Sequence, residues 1–358
     1  MQPTPANQLW EFPSLSQPGR CHRLLIGDCR EPATWERLLN GRKVANIFTS
    51  PVYADRRRKT YGGVPAAEYV DWFEPVQVFA RKHLAPSGSF FINIKAHVEQ
   101  GERLLYVYDL VLAMKRRWGW RFMDDMAWRR QGFPGRFPNR FKNAHEPVFH
   151  FGLTTAVKFR PENVLLDTDL SYAEAGNHKN ATMGAAFDGH TARNVKSGRF
   201  NGALPNNVIE AQLALDRLDR PQLLDLLRKL LASDTDPGNL VEAYTGAHSR
   251  GIRYGAAFPV ALPEFFIQAF SDPGDIWLDP FAGSGTTAEA AERHGRIAYL
   301  IDIRPAAAEQ TIERLAQIGL AARPVEAKTA VIGLRTMGGV GEVSYSHNPE
   351  SAPQYQNG

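Results

Sequence analysis

The string Asp279-Pro280-Phe281-Ala282-Gly283-Ser284-Gly285-Thr286-Thr287 carries the densest chemistry in the chain. An apolar run, Ile276 to Leu278, leads into it, and helical spacing follows from Thr286 to His294. Gly283 and Gly285 let the backbone approach a ligand closely at the start of a helix, where unpaired N–H groups face outward. A second strand-like run, Arg296 to Ile301, ends in Asp302, 23 residues after Asp279. An acidic residue about 20 positions beyond a glycine loop suits ribose hydroxyls. A GxxxxGK[ST] phosphate loop is excluded, because no lysine follows Gly285. GxGxxA is met loosely by Gly283, Gly285 and Ala288, so a nicotinamide or flavin site stays open at this point, as does an unliganded turn. A second candidate, Thr49-Ser50-Pro51-Val52-Tyr53, follows the strand-like Val44 to Phe48, as a loop at the carboxyl edge of a sheet does. Taken alone it is an ordinary Ser-Pro turn. His145-Glu146 is not a zinc-protease HExxH, since position 149 is Phe. The two cysteines, Cys21 and Cys29, have neither zinc-site spacing nor disulfide density, and no metal is expected.

Together, the two loops carry a resemblance. The Asp279 to Thr287 string resembles motif I of the DNA amino-methyltransferases, and Ser50 to Tyr53 resembles that family's [D/N/S]-P-P-[Y/F] loop. The catalytic loop precedes the cofactor loop, which resembles the β-type, permuted order. The resemblance covers most of residues 22–152 and 255–318. It implies a Rossmann-like, S-adenosylmethionine-dependent methyltransferase fold. It also implies methyl transfer to an exocyclic base amine, N4 of cytosine in preference to N6 of adenine, because Ser rather than Asp or Asn stands at position 50. Such an amine is a poor nucleophile, its lone pair being delocalised into the ring. The resemblance makes the Ser50 hydroxyl and the Pro51 carbonyl its hydrogen-bond acceptors. Tyr53 then stacks on a base flipped out of the duplex. Val52 departs from the pattern, which has a second proline there; proline fixes φ and stiffens a loop. Covalent C5 chemistry is not expected, since neither cysteine follows a proline.

The resemblance further implies that Asp28, Phe258, Pro259, Asp279, Phe281, Gly283, Ser284, Gly285, Thr286 and Asp302 bind S-adenosylmethionine. Trp128-Arg129-Arg130 and Asn143 to Pro147 look like the stretch near the target-base pocket. Arg56, Arg57, Arg58, Lys59, Arg129, Arg130, Arg136, Arg140 and Asn143 are the expected DNA contacts. Lys158, Arg160, His178, Lys179, Arg193, Lys196 and Arg199 are further candidates in a variable middle region, read as a target-recognition segment. Double-stranded DNA is the expected partner; a companion restriction endonuclease in a restriction-modification system and a second copy of the chain are further ones.

These residues need elements to hold them. Strands are expected at His22–Ile26, Val44–Phe48, Ser89–Ile94, Pro147–Phe151, Ile276–Asp279 and Ile297–Asp302. Helices are expected over Ala66–Leu84, around Leu104, Leu105, Tyr108, Val111 and Leu112, and over Pro221–Leu231, Leu262–Phe270, Thr286–His294 and Pro305–Ile318. Pro86-Ser87-Gly88 reads as a turn. This alternation predicts an α/β domain: a mostly parallel, twisted sheet with helices on both faces and strands drawn from both ends of the chain. The domain reading is a flexible arm over 1–20, a catalytic half over 21–152, the recognition region over 153–245, a cofactor half over 246–325 and a largely disordered tail over 326–358.

The chain is 358 residues long, 43% hydrophobic, with a formal net charge of +4 and basic residues clustered at 56–59, 115–121 and 129–142, which suits phosphate contact. No run is apolar for long enough to span a bilayer and no secretory signal opens the chain, so a prokaryotic cytoplasmic setting without a membrane partner is expected.

Overall fold

The structure is a computed structural model. It describes residues 7–55, 63–129, 139–141, 143, 145–164, 208–209 and 258–325. The chain divides into two units, residues 1–325 and 326–358, and the second lies outside the described residues, as does the expected tail. The expected helix at Pro221–Leu231 and most of the recognition region also lie outside them.

In chain order the strands are β1 (Leu9–Pro13), β2 (Cys21–Ile26), β3 (Val44–Thr49), β4 (Leu84–Asn93), β5 (Val98–Glu99), β6 (Glu102–Arg103), β7 (Arg121–Arg129), β8 (His145–Gly152), β9 (Val208–Ile209), β10 (Ile276–Asp279), β11 (Ile297–Asp302) and β12 (Arg323–Val325). The helices are α1 (Pro32–Leu39), α2 (Tyr69–His83), α3 (Tyr106–Leu112), α4 (Ala261–Phe270), α5 (Thr286–Arg293) and α6 (Pro305–Gln317). One sheet runs β12-β1-β2-β11-β10-β3-β4-β8-β7-β9. Its centre, β2-β11-β10-β3-β4, is parallel throughout; antiparallel pairs extend it on both sides, and the parallel β7–β9 pair closes one edge. The sheet draws strands from both ends of the chain, as expected, and it interleaves them: β10 and β11 lie between β2 and β3.

Both faces of the central strands are buried, as parallel strands require. Alternate residues serve opposite layers. Leu25, Ile47, Phe90, Leu278 and Tyr299 pack with Trp35 of α1, Phe73 of α2 and Leu110 of α3. Leu24, Phe48, Phe91, Trp277 and Leu300 pack with Phe266 of α4, Ala291 of α5 and Leu315 of α6. Helices therefore cover both faces.

Four expectations need correction. Residues 9–13 of the expected arm form β1, held between β2 and β12, with Phe12 fully buried. The following turn is pinned to α5, where the Glu292 carboxylate accepts hydrogen bonds from Ser14 Oγ (2.6 Å), the Leu15 and Ser16 amides and His22. Second, α3 buries Tyr106, Val107 and Leu110, while Leu105 and Tyr108 of the expected face are more than half exposed. Third, β7 is a strand where no element was expected, its Arg121, Asp124, Asp125 and Arg129 breaking the apolar pattern. Fourth, Pro86 to Gly88 is not a turn: β4 runs through it, with the register against β3 shifting between Val44 and Asn46. Gly88 makes that irregularity fit, since a Cβ there would fall 2.3 Å from the Ala45 carbonyl oxygen. Gly88→Ala is expected to lower stability by about 2–3 kcal/mol, read from urea denaturation midpoints.

Candidate active site

The parallel order reverses direction at one place. From β3 the chain crosses through α2 to β4 on one side, and from β10 through α5 to β11 on the other. β3 and β10 are neighbours, paired Asn46 to Trp277 and Ile47 to Leu278. The crevice outside the carboxyl ends of such a strand pair is where open α/β sheets bind ligands. The Ser50 and Gly283 loops both leave from those ends.

One carboxylate joins the two loops. Asp279, at the end of β10, is wholly buried. It accepts hydrogen bonds from Thr49 Oγ1 at 2.8 Å, Thr287 Oγ1 at 2.7 Å and the Phe281 amide at 3.1 Å. Burial pushes its pKa up from 3.8 to about 6, even though all three hydrogen bonds pull the other way. The structure thus turns this expected cofactor ligand beneath the loop, where its oxygens serve Thr49 of the catalytic strand and the glycine loop itself.

Above Asp279 the loop bends through Gly283 (φ +55°) and Gly285 (φ +75°), both in the left-handed region. A Cβ on Gly285 would lie 2.6 Å from Thr311 Cγ2, so α6 seats tightly against it. A Cβ on Gly283 would meet only the Phe281 carbonyl oxygen, at 3.9 Å, so that face stands open. Asp302, ending β11, accepts from the Gly283 amide at 2.8 Å and from the Arg304 amide at 2.9 Å, and pairs with the Arg304 guanidinium. It is brought beside the loop, as a ribose ligand needs to be, with Arg304 across its oxygens. Asp302→Ala is expected to weaken S-adenosylmethionine binding about tenfold or more; an unchanged dissociation constant in calorimetry removes Asp302 from the site.

Ser284 and Thr286 are buried and face each other at 3.4 Å, Oγ to Oγ1. Arg314 of α6 supports this turn: Nε donates to the Ser284 carbonyl at 2.8 Å, and Nη1 pairs with Glu289 at 2.6 Å. Sequence reading missed Arg314 and Glu289, whose spacing on two helices reads as ordinary surface charge. Asp28 lies on the loop after β2, its carboxyl chelated by Arg30 at 2.6 Å. Partial burial raises its pKa, but the Arg30 hydrogen bonds outweigh this and hold the group below the usual carboxylate range. Arg30 in turn lies over the Trp72 ring of α2, and Trp72 packs on Phe281, 5.8 Å between centroids. Phe258 and Pro259 are buried, Phe258 edge-on to Phe48 of β3 at 5.2 Å, so the segment before α4 lies against the catalytic strand.

In the Ser50 loop, Ser50 is half-buried and Pro51 buried. The Tyr69 hydroxyl of α2 donates to the Val52 carbonyl at 2.6 Å. Tyr53 is half-buried, its hydroxyl 3.5 Å from Glu146 of β8. Beyond it, the Asp55 amide donates to the Val64 carbonyl (2.8 Å) and Asp55 Oδ2 accepts from the Ala66 amide (3.0 Å).

Of the expected DNA contacts, Arg56, Arg57, Arg58, Lys59, Arg130 and Arg136 lie outside the described residues. Arg129 is exposed at the end of β7, opposite His145. Arg140 donates to Asn139, and Asn143 Oδ1 accepts from Arg103 at 3.1 Å. Lys158 pairs with Asp272 and Asp275, and Arg160 with Asp272, in the turn after α4. Among the described residues, no group of three or more potential ligands is placed to hold a metal, and no helix is long and apolar enough to cross a membrane.

The chain is similar to known DNA methylases. Residues 44–313 match the N6_N4_Mtase family, described as DNA methylase. The type II methyltransferase M.PvuII of Proteus hauseri is 26% identical over 285 residues, covering 73% of this chain and 75% of that protein. The solved PvuII DNA methyltransferase, titled cytosine-N4-specific, shares the fold with a TM-score of 0.50 at 23% identity, over 82% of this chain and 90% of that one. A Thermus thermophilus protein titled a putative DNA modification methylase, solved with S-adenosyl-L-methionine, covers 83% of this chain and 93% of its own at 21% identity and a TM-score of 0.44. With the family match spanning most of its length and both loops meeting at the β3–β10 crevice, the chain belongs to the N6/N4 DNA methylase family.

Proposed function

We propose that the protein transfers a methyl group from S-adenosylmethionine to N4 of cytosine in double-stranded DNA. The observation that carries this reading is the adjacency of Ser50 and the open Gly283 face across one strand pair, locked by Thr49 and Asp279. Bound along the glycine loop, S-adenosylmethionine supplies an electrophilic methyl group on its sulfonium. The residues fit that cofactor: the Gly283 face is open where a Cβ would meet almost nothing, Asp302 stands beside it for ribose hydroxyls, and Phe281 with Trp72 offers an aromatic wall.

The chain's own part is positioning and hydrogen bonding. The Ser50 hydroxyl and the Pro51 carbonyl accept from the two hydrogens of the base amine, drawing its nitrogen towards tetrahedral geometry and freeing the lone pair for in-line displacement, after which one of the two amine protons leaves to water. Tyr53 stacks on the flipped base, and Glu146 orients the Tyr53 ring through its hydroxyl. Ser at position 50 and the likeness to M.PvuII support cytosine over adenine. A type II relative also supports a role in restriction-modification, beside a companion endonuclease. Nucleoside mass spectrometry on mixed-sequence DNA incubated with protein and S-adenosylmethionine tests the reading. N4-methylcytosine is the expected product. N6-methyladenine keeps the mechanism and overturns the choice of base, and absence of any methylated base in DNA overturns the reaction.

A further inference from the structure

Besides the Tyr53–Glu146 contact, the Ser50 loop is held at Thr49, Val52 and Asp55, away from the Ser50 hydroxyl and the Pro51 carbonyl. Thr49 is anchored to Asp279, Asp55 to Val64 and Ala66, and between them the Val52 carbonyl takes the Tyr69 hydroxyl at 2.6 Å. The middle point matters most for geometry. Pro51 has its φ fixed by its ring, but Val52 has both backbone torsions free to rotate. Rotation there turns the peptide that follows Pro51, whose carbonyl oxygen must face the base amine, and it swings Tyr53. A hydrogen bond to the Val52 carbonyl fixes the next peptide plane and removes that freedom.

Tyr69 is suited to act as a fixed post. It is wholly buried in the first turn of α2, its ring packed on Tyr106 at 4.7 Å and Trp72 at 5.4 Å between centroids. Burial also pushes its phenol well above the usual range, so it stays a donor. A buried hydroxyl needs a partner, and this one takes it from the loop rather than from its own helix. The same turn of α2 presents Trp72 to Phe281 of the glycine loop, so one rigid turn touches both loops.

We propose that Tyr69 is a positioning residue that sets the backbone of the Ser50–Tyr53 loop through the Val52 carbonyl, supplying the stiffness that a proline at position 52 would otherwise give. This rests on the proposed amine methylation for its catalytic consequence but not for its structural one, and the test separates them. In Tyr69→Phe, amide exchange over Val52 to Asp55 is expected to accelerate about five- to tenfold, with β3 and the rest of α2 unchanged. Affinity for S-adenosylmethionine, by calorimetry, is expected to stay within about twofold while kcat falls about five- to tenfold. Adding Val52→Pro to Tyr69→Phe is expected to slow exchange again at Tyr53 to Asp55, the substituted position itself having no amide hydrogen, and to recover turnover. Unchanged exchange in that segment, acceleration spread across α2 and β3, or a doubly substituted protein no stiffer than Tyr69→Phe overturns the proposal. Local acceleration in a protein whose wild type methylates no DNA upholds the positioning role and overturns the proposed reaction alone.

Discussion

Replacing Ser50 by alanine is expected to lower methyl transfer about a hundred- to thousandfold, the usual cost of losing one preorganised hydrogen bond to a reacting group, with S-adenosylmethionine affinity unchanged. The reasoning is geometric. Ser50 leaves the end of β3, and the anchoring of that strand end to the glycine loop runs through Thr49, one residue earlier. Its side chain can therefore be shortened without disturbing the Asp279 hub. Single-turnover kinetics with saturating cofactor separates chemistry from product release. A rate constant equal to the wild-type value removes Ser50 from the reacting centre. A parallel fall in cofactor affinity instead makes it part of the glycine-loop architecture.

The second large effect belongs to Asp279. In Asp279→Ala two buried hydroxyls and the Phe281 amide lose their acceptor, at an expected cost of about 3 kcal/mol or more, and cofactor binding falls with it. Asp279→Asn gives a sharper test through pH. The native carboxyl has a pKa of about 6 against 3.8 for an unperturbed one, because it is buried. Between those values the native state holds a proton that the unfolded chain has released. The stabilising contribution is therefore complete below about pH 4 and is lost as pH rises through 6, on the order of 2–3 kcal/mol in all. Glu292 acts in the opposite sense and at lower pH. Burial raises its pKa, but hydrogen bonds from His22, Ser14 and the Ser16 amide outweigh that and bring it from 4.5 to about 2. The wild-type minus Asp279→Asn difference in urea-unfolding free energy is thus expected to decline from pH 4 to 6 and then level off. A flat difference shows that the carboxyl titrates normally and that its burial costs nothing.

What the sequence made legible was whatever burial writes as composition. The central strands are continuous apolar runs because helices cover both faces, and Ile47-Phe48 or Phe90-Phe91 read as strand without any partner known. The glycine loop was legible because Gly283 and Gly285 are needed for their backbone torsions. β1 was not, because Leu9, Trp10 and Phe12 sit between prolines and glutamines, and only pairing with β2 and β12 makes a strand of them. The buried face of α3 was misread because apolar residues surround that helix, and the choice fell to Tyr106, Val107 and Leu110, which meet α2 and β4 in one core. Asp279 was read as a ligand from its place in the motif. One of its three partners, Thr49, lies 230 positions away, a separation no local pattern encodes. Arg314 and Tyr69 were hidden at shorter separations, 30 and 17 positions, because their roles are hydrogen bonds to carbonyls, an interaction that leaves no mark in residue type.

The interleaving of β10 and β11 between β2 and β3 sets when the enzyme can come into being on the ribosome. β3 emerges early, yet its neighbour on one side is made more than 220 residues later. Closing so long a loop is slow, and apolar strand edges stay uncovered until it happens. A nascent chain truncated before residue 276 has a catalytic loop with nothing beneath it, since neither Asp279 nor the glycine turn yet exists. Methylating capacity therefore appears only after β10, the glycine loop and β11 have been made, and two separately expressed pieces, broken between β8 and α4, would each be inert and regain activity only on joining.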